Sequence, residues 1–195
     1  QPHNLEKLAV LVERHSPQEG INYTGIENLG TFQAIATQDR TPAVEIPSIV
    51  VVVSGKKACY HGEETHLYEA GKVLVGFYPV PAEMEIIAAS PDEPYLLAGI
   101  YLDMNRMADM LLRIDRIDES APQPASAESS VFYETDLSDA MLDAFIRLFE
   151  ALDNPKDAAI LGESIIDEIY YRLLSDEHGG ELRAMLQQKG KIKRI

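Results

Sequence analysis

The side chains best suited to chemistry lie in the middle of the chain. Cys59, His61 and His66 fall close together. A two-residue turn at Gly62-Glu63 places Cys59 opposite His66 and Tyr60 opposite Thr65 across a hairpin, since glycine takes the positive φ that such a turn demands. A facing thiol and imidazole could form half of a zinc site, or the imidazole could lower the thiol pKa. Two ligands do not hold a metal, however, and there is no His-x-His pair or later histidine partner, so a structural role is expected and no metal or other cofactor. Ser54-Gly55 lacks the Gly-x-Ser-x-Gly elbow of acyl-transfer enzymes. The acid pairs Glu63-Glu64 and Asp92-Glu93 fall in turns, where solvated carboxylates are ordinary. Phosphate-cradling glycine loops are absent. The expectation is a protein without catalysis of its own, in which polar and aromatic residues of the strands line a ligand cavity: Tyr60, His66, Tyr78 and Glu85.

The elements that position these residues are short strands between turns. Ile49 to Val53 is a β-branched run ended by Ser54-Gly55, and Lys56 to His61, Thr65 to Glu69, Lys72 to Tyr78, Glu83 to Ala89 and Tyr95 to Leu102 follow at near-regular intervals. Such spacing fits a sandwich or small barrel rather than a βαβ sheet. Upstream, Leu5, Leu8 and Val12 predict a first helix, capped by Asn4 and ended by Ser16-Pro17. Residues 20–37 supply opening strands. Downstream, Asp103 or Asn105 caps a helix carrying Met107, Met110, Leu111 and Ile114. A Pro- and Ser-rich linker covers residues 118–130.

Beyond it the period becomes helical. Leu137 to Leu152 forms one apolar stripe, Asn154-Pro155 stops and restarts the helix, and Ile160 to Leu174 forms a second stripe ended by Gly179-Gly180. A last short helix holds Leu182, Met185 and Leu186. Strands followed by helices define an α+β class. The two stripes exceed what one flank of a barrel covers, which predicts a homodimer through Leu142, Phe145, Phe149, Ile165 and Ile169.

Composition sets further bounds. One cysteine in 195 residues permits no internal disulfide, and with no signal sequence or long apolar span a cytoplasmic location without membrane contact is the simplest reading. A net charge of −15 argues against this chain gripping a phosphate backbone. The last seven residues carry four positive charges and no acid, so the preceding 188 sum to −19. That reversal is compatible with a frayed tail or with the start of a basic second domain.

Four runs carry a family resemblance: Ile46-Pro47 through Lys57, Tyr68-Glu69-Ala70-Gly71, Ala89-Ser90-Pro91-Asp92-Glu93-Pro94-Tyr95-Leu96, and Asp167-Glu168-Ile169-Tyr170-Tyr171-Arg172-Leu173-Leu174. In order and over nearly the whole chain they resemble the N-terminal domain of AraC-type transcriptional regulators. The resemblance implies a cupin-like β-barrel (a double-stranded β-helix, or jelly roll) over residues 1–117, followed by a C-terminal helical bundle used for dimerisation over 131–188. It also implies that residues 189–195 begin a helix-turn-helix domain that alone contacts DNA. The barrel would bind a small-molecule effector. The family's sugar-sensing founder places polar ligand contacts at the positions of Thr24 and Arg40, whereas its aromatic contacts fall near Ile87 and Gly99, which argues against a sugar. Asp167 stands where the family favours arginine and would alter a local ion pair. A cupin enzyme, an isomerase or dioxygenase, lacks its histidine set here; the other rival is a purely structural dimerisation module whose barrel is self-filled.

Overall fold

A computed structural model describes residues 2–76, 79–118, 132–176 and 179–192. The order is α1 (Pro2–Arg14), β1 (Gly20–Tyr23), β2 (Leu29–Ala34), β3 (Gln38–Glu45), β4 (Ser48–Ser54), β5 (Lys56–His61), β6 (Glu64–Glu69), β7 (Lys72–Gly76), β8 (Val80–Ala88), β9 (Tyr95–Tyr101), α2 (Met104–Ile117), β10 (Phe132–Asp136), α3 (Asp139–Ala151), α4 (Pro155–Leu174) and α5 (Gly179–Ile192). The strands form a six-stranded sheet, β1-β2-β9-β4-β7-β10, and a four-stranded sheet, β3-β8-β5-β6. All pairings are antiparallel.

The expected closed barrel is therefore replaced by two open sheets. No ladder joins β1 to β3 or β10 to β6 among the described residues. Two strands escaped the sequence reading. β3 is a mostly exposed edge containing Pro42, which lacks the donor an inner strand needs. β10 lies beyond residue 130, where only helix is expected, and it pairs with β7.

The β-branched run in β4 is buried on both faces, which explains why it is continuous rather than alternating. Ile49, Val51 and Val53 join the core under the helices, whereas Val50 and Val52 face the second sheet. At its end the pairing with β9 shifts between Val52 and Ser54, and Gly55 follows at φ +73°. A Cβ on Gly55 would lie 2.6 Å from Ala88 O and Tyr95 Cα. This bulge and glycine turn the chain from one sheet into the other and set the direction of β5.

The helices lie on the outer face of the larger sheet. Leu8, Leu11 and Val12 of α1 share that core with α3, α4 and the sheet. Asn4 lies within α1 rather than capping it, while Ser16 closes its end through its hydroxyl, which lies 2.7 Å from both Val12 O and Thr31 Oγ1. The other caps are as expected: Asp103 accepts from Arg106 N and Asn154 from Lys156 N, with Pro155 opening α4. Gly179-Gly180 opens α5 instead of ending α4, which stops at Leu174.

Two of the recognised runs have clear structural work. In the Ala-Ser-Pro run, Ser90 N donates to Glu93 O and Glu93 N to Ser90 Oγ, each at 3.0 Å, closing the turn that delivers Tyr95 to β9. In α4, Ile169, Tyr170, Leu173 and Leu174 are buried, Glu168 takes Arg147 at 2.6 Å, and Asp167 receives Arg106 of α2 at 2.9 Å. Asp167 thus joins α4 to α2 through an ion pair.

The predicted dimer surface is core. Phe145, Phe149 and Ile169 are 0% exposed, Leu142 3% and Ile165 7%. The stripes are wider than one flank of a barrel covers, but α1 packs over α3, and α3 and α4 cover each other, so both are consumed internally. The large apolar residues exposed on α2 and α4 are Leu112, Ile117, Ile160, Leu161 and Tyr171.

Candidate ligand-binding site

Between the sheets, at the open seam where β1 and β2 lie over β3, is a cleft of about 340 Å³. Phe32, Val50 and Leu97 from the larger sheet and Met84 from the smaller form its apolar walls. Much of its room comes from one register: Gly30 of β2 and Gly99 of β9 are direct neighbours on the inward face, so two adjacent positions project no side chain. A Cβ on Gly99 would meet nothing nearer than Leu97 Cδ1 at 3.7 Å.

The charged residues on this cleft are Glu45, the last residue of β3, and Lys57 of β5. Lys57 Nζ lies 3.8 Å from Glu45 Oε1, and each side chain is 17% exposed. That separation exceeds the ~2.7–2.9 Å of a charge-assisted hydrogen bond. Lys57 Nζ also sits 5.1 Å from the centre of the Tyr68 ring. Behind the pair are Tyr68 and the fully buried Tyr95. Burial first, and the Glu45 charge second, hold both phenols above their usual range.

The predicted ligand residues are placed differently. Thr24 caps the turn after β1, donating to Leu29 O at 2.8 Å. Arg40, Tyr60 and Glu85 cluster on the outer face of the smaller sheet: Arg40 stacks 3.9 Å over the Tyr60 ring and pairs with Glu83, and Tyr60 donates to Glu85 at 2.6 Å. His66 does face inward, but at the far edge, with its ring 4.9 Å from Phe132 and a 3.3 Å contact to Glu64. Tyr78 lies outside the described residues. Gly99 lines the cleft, whereas Ile87 is 43% exposed.

Strand phase accounts for these placements. Along β5 the inward residues are Lys57, Cys59 and His61, so Tyr60 must point out, and Glu83 and Glu85 alternate outward with Met84 and Ile86. The available signal for Lys57 was that adjacent lysines 56 and 57 must place one charge inside.

Cys59 does face His66 in the ladder. The thiol is nonetheless fully buried, and burial, with the Glu45 charge second, pushes it up to about 11. It stays protonated at neutral pH, so Ellman's reagent at pH 8 is expected to titrate no thiol in the folded protein and one after guanidinium is added. Rapid native labelling would contradict this. Among the described residues no group of three His, Cys, Asp or Glu side chains could hold a metal ion, and no helix is long and apolar enough to cross a membrane.

A mixed α+β module of antiparallel sheets, with helices on one face and a cleft between the sheets, is a class the comparisons recognise. The family model described as "AraC-type transcriptional regulator N-terminus" matches residues 25–181. The chain belongs to this family. A crystal structure of an apo ToxT variant from Vibrio cholerae is similar, with a TM-score of 0.56, 7% identity, and coverage of 84% of this chain and 59% of that one. Wild-type ToxT from the same organism with an unsaturated fatty acid bound gives a TM-score of 0.50, 9% identity and coverage of 86% and 62%. At these identities the likeness is one of fold, and this chain spans about 59–62% of the length of those ToxT chains. The search of curated proteins finds no significant match.

Proposed function

We propose that this chain is the effector-sensing domain of an AraC-type transcriptional regulator. Its effector is a small, largely apolar molecule with one anionic group, held in the cleft between the sheets. The observation that carries this reading is the joining of apolar walls to one ammonium, Lys57, which makes no hydrogen bond among the described residues. Burying an apolar body would supply most of the affinity, and Lys57 would fix the orientation. The unsaturated fatty acid of ToxT is a ligand of this chemistry on a similar fold.

Occupation of the cleft shifts the population between two arrangements of the helices, and so changes how a separate DNA-binding part is presented. The net charge of −15 leaves DNA contact to that other part. The domain acts in the cytoplasm, without a catalytic step.

Decanoate is a suitable probe. At a hundred times its dissociation constant it is expected to stabilise the folded state by about 2.7 kcal/mol, visible as a rise of several degrees in melting temperature. Gly99→Leu fills the cleft and is expected to abolish the rise while leaving the protein folded. An unchanged melting curve for the natural protein, or an equal rise in the variant, would refute the site.

A further inference from the structure

Two buried oxygens beside the cleft have no hydrogen-bond partner among the described residues: Glu45 Oε1 and the Tyr95 hydroxyl. Buried polar groups are nearly always paired, so each demands a reason. Their placement suggests a common one. Glu45 is held loosely by Lys57 at 3.8 Å, accepts a hydrogen bond from the Tyr68 hydroxyl, and places its charge near Tyr95. The carboxylate therefore lies between a cation that opens on the cleft and hydroxyls that lie behind it.

We infer that Glu45 is an internal competitor for the effector's anionic group, which keeps its bond to Tyr68 but leaves Lys57 for the hydroxyl of Tyr95 when a ligand's own anion takes its place. This deepens the reading above and rests on it. In the free domain Glu45 neutralises Lys57, which would otherwise face an apolar cleft alone. An incoming carboxylate captures the ammonium, and Glu45 loses its cation. A largely buried carboxylate that has lost its cation is disfavoured, and the Tyr95 hydroxyl is a donor with nothing else to bond among the described residues. The unpaired atoms of the free state become partners in the bound state.

The arrangement also sets specificity. A bare anion such as acetate must displace Glu45 with little burial to offset the exchange, whereas a longer carboxylate fills the cleft at the same time. Because Glu45 ends β3, the edge strand that walls the cleft, its movement is felt first at the seam where the two sheets part.

The test compares decanoate with decan-1-ol, which has the same apolar body without the charge, by isothermal calorimetry. Glu45→Gln removes the competitor and is expected to tighten decanoate about tenfold while leaving the alcohol nearly unchanged. Tyr95→Phe removes the waiting donor and is expected to weaken decanoate about fivefold, with the alcohol unaffected and the free domain no less stable. Decanoate affinity unchanged or weakened by Glu45→Gln would overturn the exchange, as would a Tyr95→Phe variant that loses stability but binds decanoate normally. If the natural protein binds neither probe, the cleft reading and this inference fail together. If it binds both and their affinity ratio ignores Glu45, only the exchange fails.

Discussion

Phe145→Ala is expected to destabilise the domain by about 4 kcal/mol, and Phe145→Glu to prevent folding. Phe145 is fully buried in the core shared by α1, α3, α4 and the larger sheet. Truncation removes the transfer free energy of the ring and leaves a cavity that three packed helices cannot collapse around, which typically costs 3–5 kcal/mol. The glutamate places an unpaired charge at the same point, a cost comparable with the total stability of an ordinary domain. Urea unfolding and sedimentation velocity give the readout. An interface residue behaves otherwise: its charged variant stays folded and only the association state changes. A well-folded Phe145→Glu protein that differs solely in sedimentation would show that Phe145 meets a second copy.

Lys57→Met is expected to cost about a hundredfold in decanoate affinity, equivalent to about 2.7 kcal/mol, with decan-1-ol changed far less. Methionine keeps most of the apolar stem and removes the ammonium, so the cleft retains its walls and loses the one cation that lines it among the described residues. The variant is also expected to lose stability, because the largely buried Glu45 is left without its cation. The double variant Lys57→Met/Glu45→Gln separates the two effects. It should recover stability without recovering decanoate binding. Equal loss for the acid and the alcohol would mean that Lys57 supports the cleft walls rather than the ligand's charge.

Local chemistry settled a good deal in this chain. The hairpin at Gly62-Glu63 has the expected register, with Cys59 opposite His66, because a two-residue turn leaves no freedom in the pairing. Asp103 and Asn154 cap their helices for a similarly local reason. The class, strands then helices, followed from the change of hydrophobic period, and the four runs identified the family. Phase and closure were not local. β5 has lysines at both of its first two positions, so its two faces look alike in sequence, and only the bend at Ser54-Gly55 decides that Lys57 turns inward and Tyr60 outward.

Periodicity and turn chemistry thus determined most of the elements and their order, and the resemblance of four runs pointed to the family, since each depends on residues a few positions apart. The tertiary structure decided everything that depends on what covers what. The stripe from Leu142 to Ile169 is equally apolar whether it meets another copy or α1, and only packing shows that α1 and the paired helices bury it. Likewise Glu45, Lys57, Tyr68 and Tyr95 come from four different strands, and no spacing along the chain announces that two sheets bring them together. A site of this kind arises from burial and register between distant segments, whose free energies are collective and leave no short-range mark on the sequence.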